Sequence, residues 1–115
     1  MKNKVVGRKF GRVRSQRKAL MRSLATNLIR DEKIKTTEAK AKELRPYIEK
    51  IITRGMKENL LSRRMLIAKI GSDSAKKVIE TIAPKYKDRT GGYIRITKLP
   101  ARLGDAASMA VIEFV

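Results

Sequence analysis

The chain contains no cysteine and no histidine in its 115 residues. Without cysteine there are no disulfides, no thiolate nucleophile and no sulfur-based metal site, and the composition suits a reducing compartment. Without histidine the usual neutral-pH proton shuttle is missing, as are the imidazole metal ligand and every Ser–His or Cys–His nucleophile pair. Tryptophan is also absent, and three Tyr and two Phe make up all the aromatics. The core must therefore be aliphatic, and a base-stacking platform of the single-strand-binding type is not expected. No apolar run approaches the roughly 18 residues of a membrane span. The basic N-terminus lacks the apolar stretch of a signal peptide.

Acidic residues are scarce as well. Eleven Asp and Glu stand against 29 Lys and Arg, for a formal charge of +18. Self-repulsion on this scale in so small a chain calls for a polyanionic partner, nucleic acid first and an anionic membrane surface second. The charge is uneven. Lys2, Lys4, Arg8, Lys9, Arg12, Arg14, Arg17, Lys18, Arg22 and Arg30 all precede the first acid, Asp31, whereas residues 31–115 mix both signs. Residues 1–14 have no periodic apolar face and contain Gly7 and Gly11. They suit a basic arm that orders on a partner, the bland alternative being a solvated tail.

Residues 15–30 are predicted to form a helix capped by Ser15, with Leu20, Leu24 and Leu28 on an apolar stripe flanked by Met21, Ala25 and Ile29. Lys18 and Arg22 lie off the centre of that stripe. Lys33–Thr37 alternates like a short strand. Thr37 is placed to cap a helix over residues 38–54 whose buried face is Ala41, Leu44, Ile48, Ile51 and Ile52. Pro46 is expected to kink or break it near residues 42–45, and Gly55 to stop it. Further helices fit residues 59–70, ended by Gly71, and 74–83, started by Ser72-Asp73-Ser74 and stopped by Pro84. Residues 93–98 and 109–115 are strand-like. The predicted fold is α+β: about four helices packed on a small two- or three-stranded sheet, with a basic extended N-terminal arm at 1–14 and a single domain at 15–115.

Lys and Arg on the arm and first helix are the main chemical signal. Each cation placed on a phosphate releases condensed counterions, which drives binding without sequence readout, and arginine adds a two-pronged fit to phosphate oxygens. Recognition of RNA shape and backbone fits better than recognition of bases. Lys85, Lys87, Arg89 and Arg95 form a second cluster around Gly91-Gly92. Either those glycines let backbone N–H groups approach a phosphate, or they are a flexible turn. Arg63 and Arg64 suit a solvated helix face. Asp31-Glu32 is an acid pair of the kind a magnesium-dependent nuclease uses, but neighbouring residues diverge and no third acid stands beside them, so a helix-end turn is the simpler account. The glycines match neither the phosphate loop nor the dinucleotide fingerprint. The amphipathic first helix also resembles a membrane-surface helix, although its apolar face is needed for the core.

Gly7-Arg8-Lys9 precedes Arg17-Lys18-Ala19-Leu20; Ile34-Lys35-Thr36-Thr37 leads into Lys40-Ala41-Lys42-Glu43-Leu44-Arg45. Gly91-Gly92-Tyr93-Ile94-Arg95-Ile96 is followed by Arg102-Leu103-Gly104-Asp105 and then Met109-Ala110-Val111-Ile112-Glu113. This ordered series, covering nearly the whole chain, resembles the bacterial large-subunit ribosomal protein family L-seventeen. The resemblance implies binding to large-subunit ribosomal RNA near the exit of the nascent-chain tunnel, an N-terminal extension buried in RNA, an α+β body at the particle surface and neighbouring ribosomal proteins as contacts. It implies bacterial or organellar translation and a cytoplasmic, ribosome-bound protein. Asn3, Gln16 and Asp31 stand about where His is common in the family, so contacts made there through imidazole are not available to this chain. The sequence ends directly after its last predicted strand, where some members carry a tail.

The expectation is therefore a structural constituent of the large ribosomal subunit and not an enzyme, with no cofactor, metal, membrane or small-molecule substrate. Phosphate contacts are expected from Lys2, Lys4, Arg8, Lys9, Arg12, Arg14, Arg17, Lys18 and Arg22, and in a second tier from Arg89, Arg95 and Arg102. The alternative is a free DNA-binding or chromatin-type protein in which the third and fourth helices, with Gly71 between them, mimic a helix-turn-helix.

Overall fold

A computed structural model of the protein describes residues 13–57 and 59–115. Lys2, Lys4, Arg8, Lys9 and Arg12, with the rest of residues 1–12 of the expected arm, lie outside the described residues; Arg14, expected in that arm, opens the first helix instead.

Helix α1 (Arg14–Asp31) opens at Val13, whose backbone is extended and whose carbonyl accepts the Arg17 N–H at 2.9 Å. Ser15 is not the cap; it sits inside the first turn, because nothing at Arg14 resists helical geometry and the Val13 carbonyl already closes that turn. Ala25, Leu28 and Ile29 are buried, whereas Leu20 and Met21 are only half-buried. The N-terminal half of the helix thus contributes less to the core than its apolar stripe suggests. At the other end Glu32 takes a left-handed conformation (φ 64°) and donates its N–H to the Leu28 carbonyl, turning the chain directly into strand β1 (Lys33–Thr37).

Thr37 caps helix α2 (Glu38–Gly55) as expected, its hydroxyl accepting the Lys40 N–H at 3.4 Å. Pro46 lies inside α2, yet the helix runs unbroken through it. The proline and Lys42, whose carbonyl loses its partner, are both exposed, so water replaces the missing bond. Burial of Ala41, Leu44, Ile48, Ile51 and Ile52 outweighs the loss. Gly55 is not a left-handed stop either. It is buried, the following residue Met56 is right-handed, and a Cβ on Gly55 would lie 2.7 Å from Val78 Cγ1. Close packing is what requires glycine here.

Asn59 caps helix α3 (Leu60–Ile70) through a 2.8 Å bond from the Ser62 N–H to its side-chain oxygen, and Gly71 (φ 89°) ends it. Helix α4 is regular only over Ser72–Lys77; it widens into a π-helical turn at Val78–Ile82 and tightens into a 3-10 turn at Ala83–Tyr86. It therefore starts two residues earlier than predicted and does not stop at Pro84, which fits the first turn of a helical segment, where a missing N–H costs nothing. Val78, Ile82 and Tyr86 all face the core.

Strands β2 (Ile94–Leu99) and β3 (Met109–Phe114) complete a three-stranded antiparallel sheet of order β1-β3-β2. Ile34 and Ile96 both pair with Ile112 on the central strand, and this isoleucine row packs toward the helices. On the opposite face Lys33 and Arg95 flank Glu113. The molecule is α+β, four helices on a three-stranded sheet. The Tyr86 hydroxyl anchors its C-terminal end, donating to the Val115 carbonyl at 2.7 Å.

Candidate nucleic-acid interface

Arg14, Lys18 and Arg22 recur every four residues, so they form one row along α1, about 12 Å from first to last at 1.5 Å per residue. All three are exposed. No acid occurs in α1 before Asp31, and among the described residues none of the three is held by a carboxylate. Arg17 lies on the neighbouring, core-side row beside Met21 and Leu24. It is only partly exposed, and its Nε is buried without a hydrogen-bond partner. The helix fixes the spacing of these cations in advance, so only side-chain freedom is lost when they meet a phosphate row.

The second-tier arginines are placed differently. Arg95 grips Glu113 with two nitrogens at 2.8 and 3.1 Å, and Arg102 grips Asp105 at 2.7 and 3.0 Å. These contacts hold both carboxyls below the usual range. For Glu113 the Arg95 hydrogen bond is the main cause; Asp105 is lowered to about 2 by the Arg102 hydrogen bond, aided by the Ala107 N–H. Arg89 donates to the Gly92 carbonyl at 3.1 Å. All three side chains are exposed but engaged, and they stand apart from the α1 row.

Gly92 has a positive φ of 70°, and its N–H is taken by the Glu49 carboxylate at 3.1 Å. This favours a structural turn over a phosphate cradle at that N–H. Tyr86 and Tyr93 pack against each other, ring centroids 5.1 Å apart, and both are buried, so neither offers an open ring to a base. Asp31 pairs with Arg30 at 2.9 Å. Glu32 pairs with Lys77 at 3.3 Å and Lys85 at 3.4 Å. Desolvation pushes Glu32 up, but the two lysines more than offset it and leave the carboxyl below its ordinary value. The acid pair is thus a helix-end turn with each carboxylate neutralised by cations.

The structure also assembles cations that the linear sequence did not single out. Lys50 and Arg54 follow at helical spacing on α2, Lys57 lies just past its end, and Lys69 faces them from α3, around a groove of about 420 Å³. Lys69 sits 4.9 Å over the Tyr47 ring. Burial raises the Tyr47 hydroxyl pKa, and the charge of Arg22 opposes the rise. The spacing of residues 50, 54 and 57 was the one signal in the sequence that pointed here.

Residues 20–115 match the family model described as "Ribosomal protein L17". A protein of Shouchella clausii named "Large ribosomal subunit protein bL17" is 51% identical over 116 residues, covering 93% of this chain and 97% of its own. Proteins of the same name from Nautilia profundicola and Mesorhizobium japonicum are 49% and 48% identical; each alignment covers all of this chain, and 98% and 81% of the relative respectively. With a family match across most of the sequence and relatives near half identical along its length, this chain belongs to the ribosomal protein L17 family.

Proposed function

We propose that this protein is a structural constituent of the bacterial large ribosomal subunit that binds ribosomal RNA through backbone phosphates and works in the cytoplasm on the ribosome, near the nascent-chain tunnel exit. The observation that carries the RNA contact is the exposed, carboxylate-free row Arg14–Lys18–Arg22. Arg17 stands beside it, and Lys2, Lys4, Arg8, Lys9 and Arg12 extend it in sequence. Family membership supports the particle, and the relatives' names specify its large subunit. The role is architectural: cations neutralise phosphates from several RNA segments and lower the cost of bringing them together, while the α+β body fixes one position among neighbouring ribosomal proteins. Arg89, Arg95 and Arg102 are secondary contacts, the last two reaching RNA only by exchanging a carboxylate for a phosphate.

A helix-turn-helix reading fares worse. Regular α4 is six residues long, and of its two lysines Lys77 is spent on Glu32 and on the Arg30 carbonyl. Such a helix has little left with which to read a DNA groove.

The test is the salt dependence of binding to large-subunit ribosomal RNA. Replacing Arg14, Lys18 and Arg22 by Gln removes up to three phosphate contacts, and each is worth about 0.9 in the slope of log K against log salt on a duplex. We expect the slope to flatten by about 2 to 3 with the helical signal unchanged. Removing residues 1–12 while keeping Val13 should flatten it further. An unchanged slope in both variants would show that neither α1 nor the preceding segment touches phosphate.

A further inference from the structure

We propose that the groove between α2 and α3 receives one unpaired RNA nucleotide, its base in the crevice and its phosphates on the cationic rim. This rests on the RNA-binding reading and goes beyond it, because that reading involves backbone phosphates alone.

Three features carry the inference. The lining combines Ile51, Leu66 and Tyr93, which are almost fully buried, with the exposed thioether of Met65, which is the apolar surface open to a base. A crevice of about 420 Å³ falls within the size range of small-ligand sites, and burying a base face there removes apolar area from water. The rim carries Lys50, Arg54, Lys57 and Lys69. Among the described residues none of these four is held by a carboxylate. Arg54 rests on Met65 Sδ at 2.8 Å, and Lys69 lies over Tyr47. Glu49 is the one acid among the described residues of the lining, and it is committed to Arg45 at 4.0 Å and to the Gly92 N–H. The crevice is therefore cationic in effect. Finally, Thr53 on α2 and Thr90 in the segment before β2 both line it and supply hydroxyls for the edge of a base, as single-stranded RNA recognition requires.

A duplex keeps its bases stacked and cannot fill the crevice. A second copy of this chain would set like charges against each other. Helix α1 packs against both α2 and α3, so the α1 row and the groove belong to the same helical layer.

The experiment uses the full chain and hexauridylate carrying one 4-thiouridine, photocrosslinked and mapped by mass spectrometry. Thr53→Trp fills the crevice from an exposed helical position without changing charge; Thr90→Trp does so from the segment before β2. We expect adducts on residues 49–57 and 90–93 in addition to α1, and each tryptophan variant to lower the groove adducts about tenfold while α1 adducts persist. Lys50→Gln with Lys57→Gln should reduce groove adducts more than Lys35→Gln with Lys76→Gln, which makes the same charge change elsewhere. Adducts confined to α1, or groove adducts insensitive to both tryptophans, overturn the proposal. A glutamate-rich amphipathic peptide that binds the groove and is excluded by Thr53→Trp, with RNA adducts unaffected, overturns it in favour of a protein ligand. No crosslink anywhere would count against the RNA-binding function itself.

Discussion

Gly55→Ala adds one methyl group at the tightest point between α2 and the π-helical turn after α4. The new Cβ would stand 2.7 Å from Val78 Cγ1, with Ala83 Cβ at 3.5 Å and Leu66 Cδ1 at 3.7 Å behind it. Carbon atoms in contact prefer 3.5–4.0 Å, so a shift of nearly 1 Å is demanded where valine, stiff at its first side-chain torsion, has little room to turn. Overpacking of this kind costs roughly 1–3 kcal/mol. Alanine in a helix returns about 0.5–1 kcal/mol relative to glycine. The net expected loss is about 1–2 kcal/mol, which for a domain near this size lowers the melting temperature by roughly 5–15 °C. Thermal unfolding followed by circular dichroism measures it. Val78→Ala removes the obstructing methyl, so in that background Gly55→Ala should cost clearly less, and the double-mutant cycle should show favourable coupling. A Gly55→Ala protein that melts at or above the parent temperature would refute the close-packing account and return Gly55 to the role of a free helix end.

Tyr86→Phe removes the hydroxyl that donates to the Val115 carbonyl; a loss of about 1 kcal/mol is expected in a denaturant titration, and no loss would mean that water replaces the bond. Acid should weaken the fold. Asp31, Glu32, Asp105 and Glu113 all sit below their ordinary pKa in the folded protein, so the unfolded chain binds protons more readily. Their contribution is present above the unfolded values near pH 4 and lost as pH falls through the folded ones. The melting temperature should therefore drop between about pH 5 and pH 2, less steeply in Asp105→Asn, whose parent carboxyl is held lowest at about 2.

Much of the fold was legible because local pattern and tertiary burial agree. Strand β1 begins and ends where alternation of Lys33–Thr37 places it, and Thr37 caps the helix that follows. Misplaced features were those decided by distant contacts. Gly55 does end α2, as its sequence position suggests, but the close approach of Val78 that demands glycine shows only in the fold. Pro46 reads as a break until the burial of α2 is counted. The π-helical turn at Val78–Ile82 has no local signature, since it lets Val78, Ile82 and Tyr86 all reach the core. Strand order β1-β3-β2 depends on pairing across most of the chain and was not derivable from periodicity.

The site was legible in the same uneven way. Lys18 and Arg22 follow from helical spacing, whereas Arg14, assigned to the arm, joins their row only because α1 begins one residue before Ser15. That Arg95 and Arg102 are gripped by Glu113 and Asp105 does not follow from spacing: one pair is set by strand register and the other by a loop closed through Arg102 and Ala107 backbone bonds. The rim of the groove was hidden because its cations come from two helices, and only the packing of α3 beside α2 brings Lys69 to Lys50 and Arg54.

The most direct test of the central claim is sedimentation of a bacterial lysate through a density gradient at low and then high salt, with this protein quantified in each fraction. One copy per large subunit, retained through the high-salt wash, is the predicted result and identifies an integral component of the particle. Protein at the top of the gradient, or RNA association shed at modest salt, would contradict it and point to a general nucleic-acid binder.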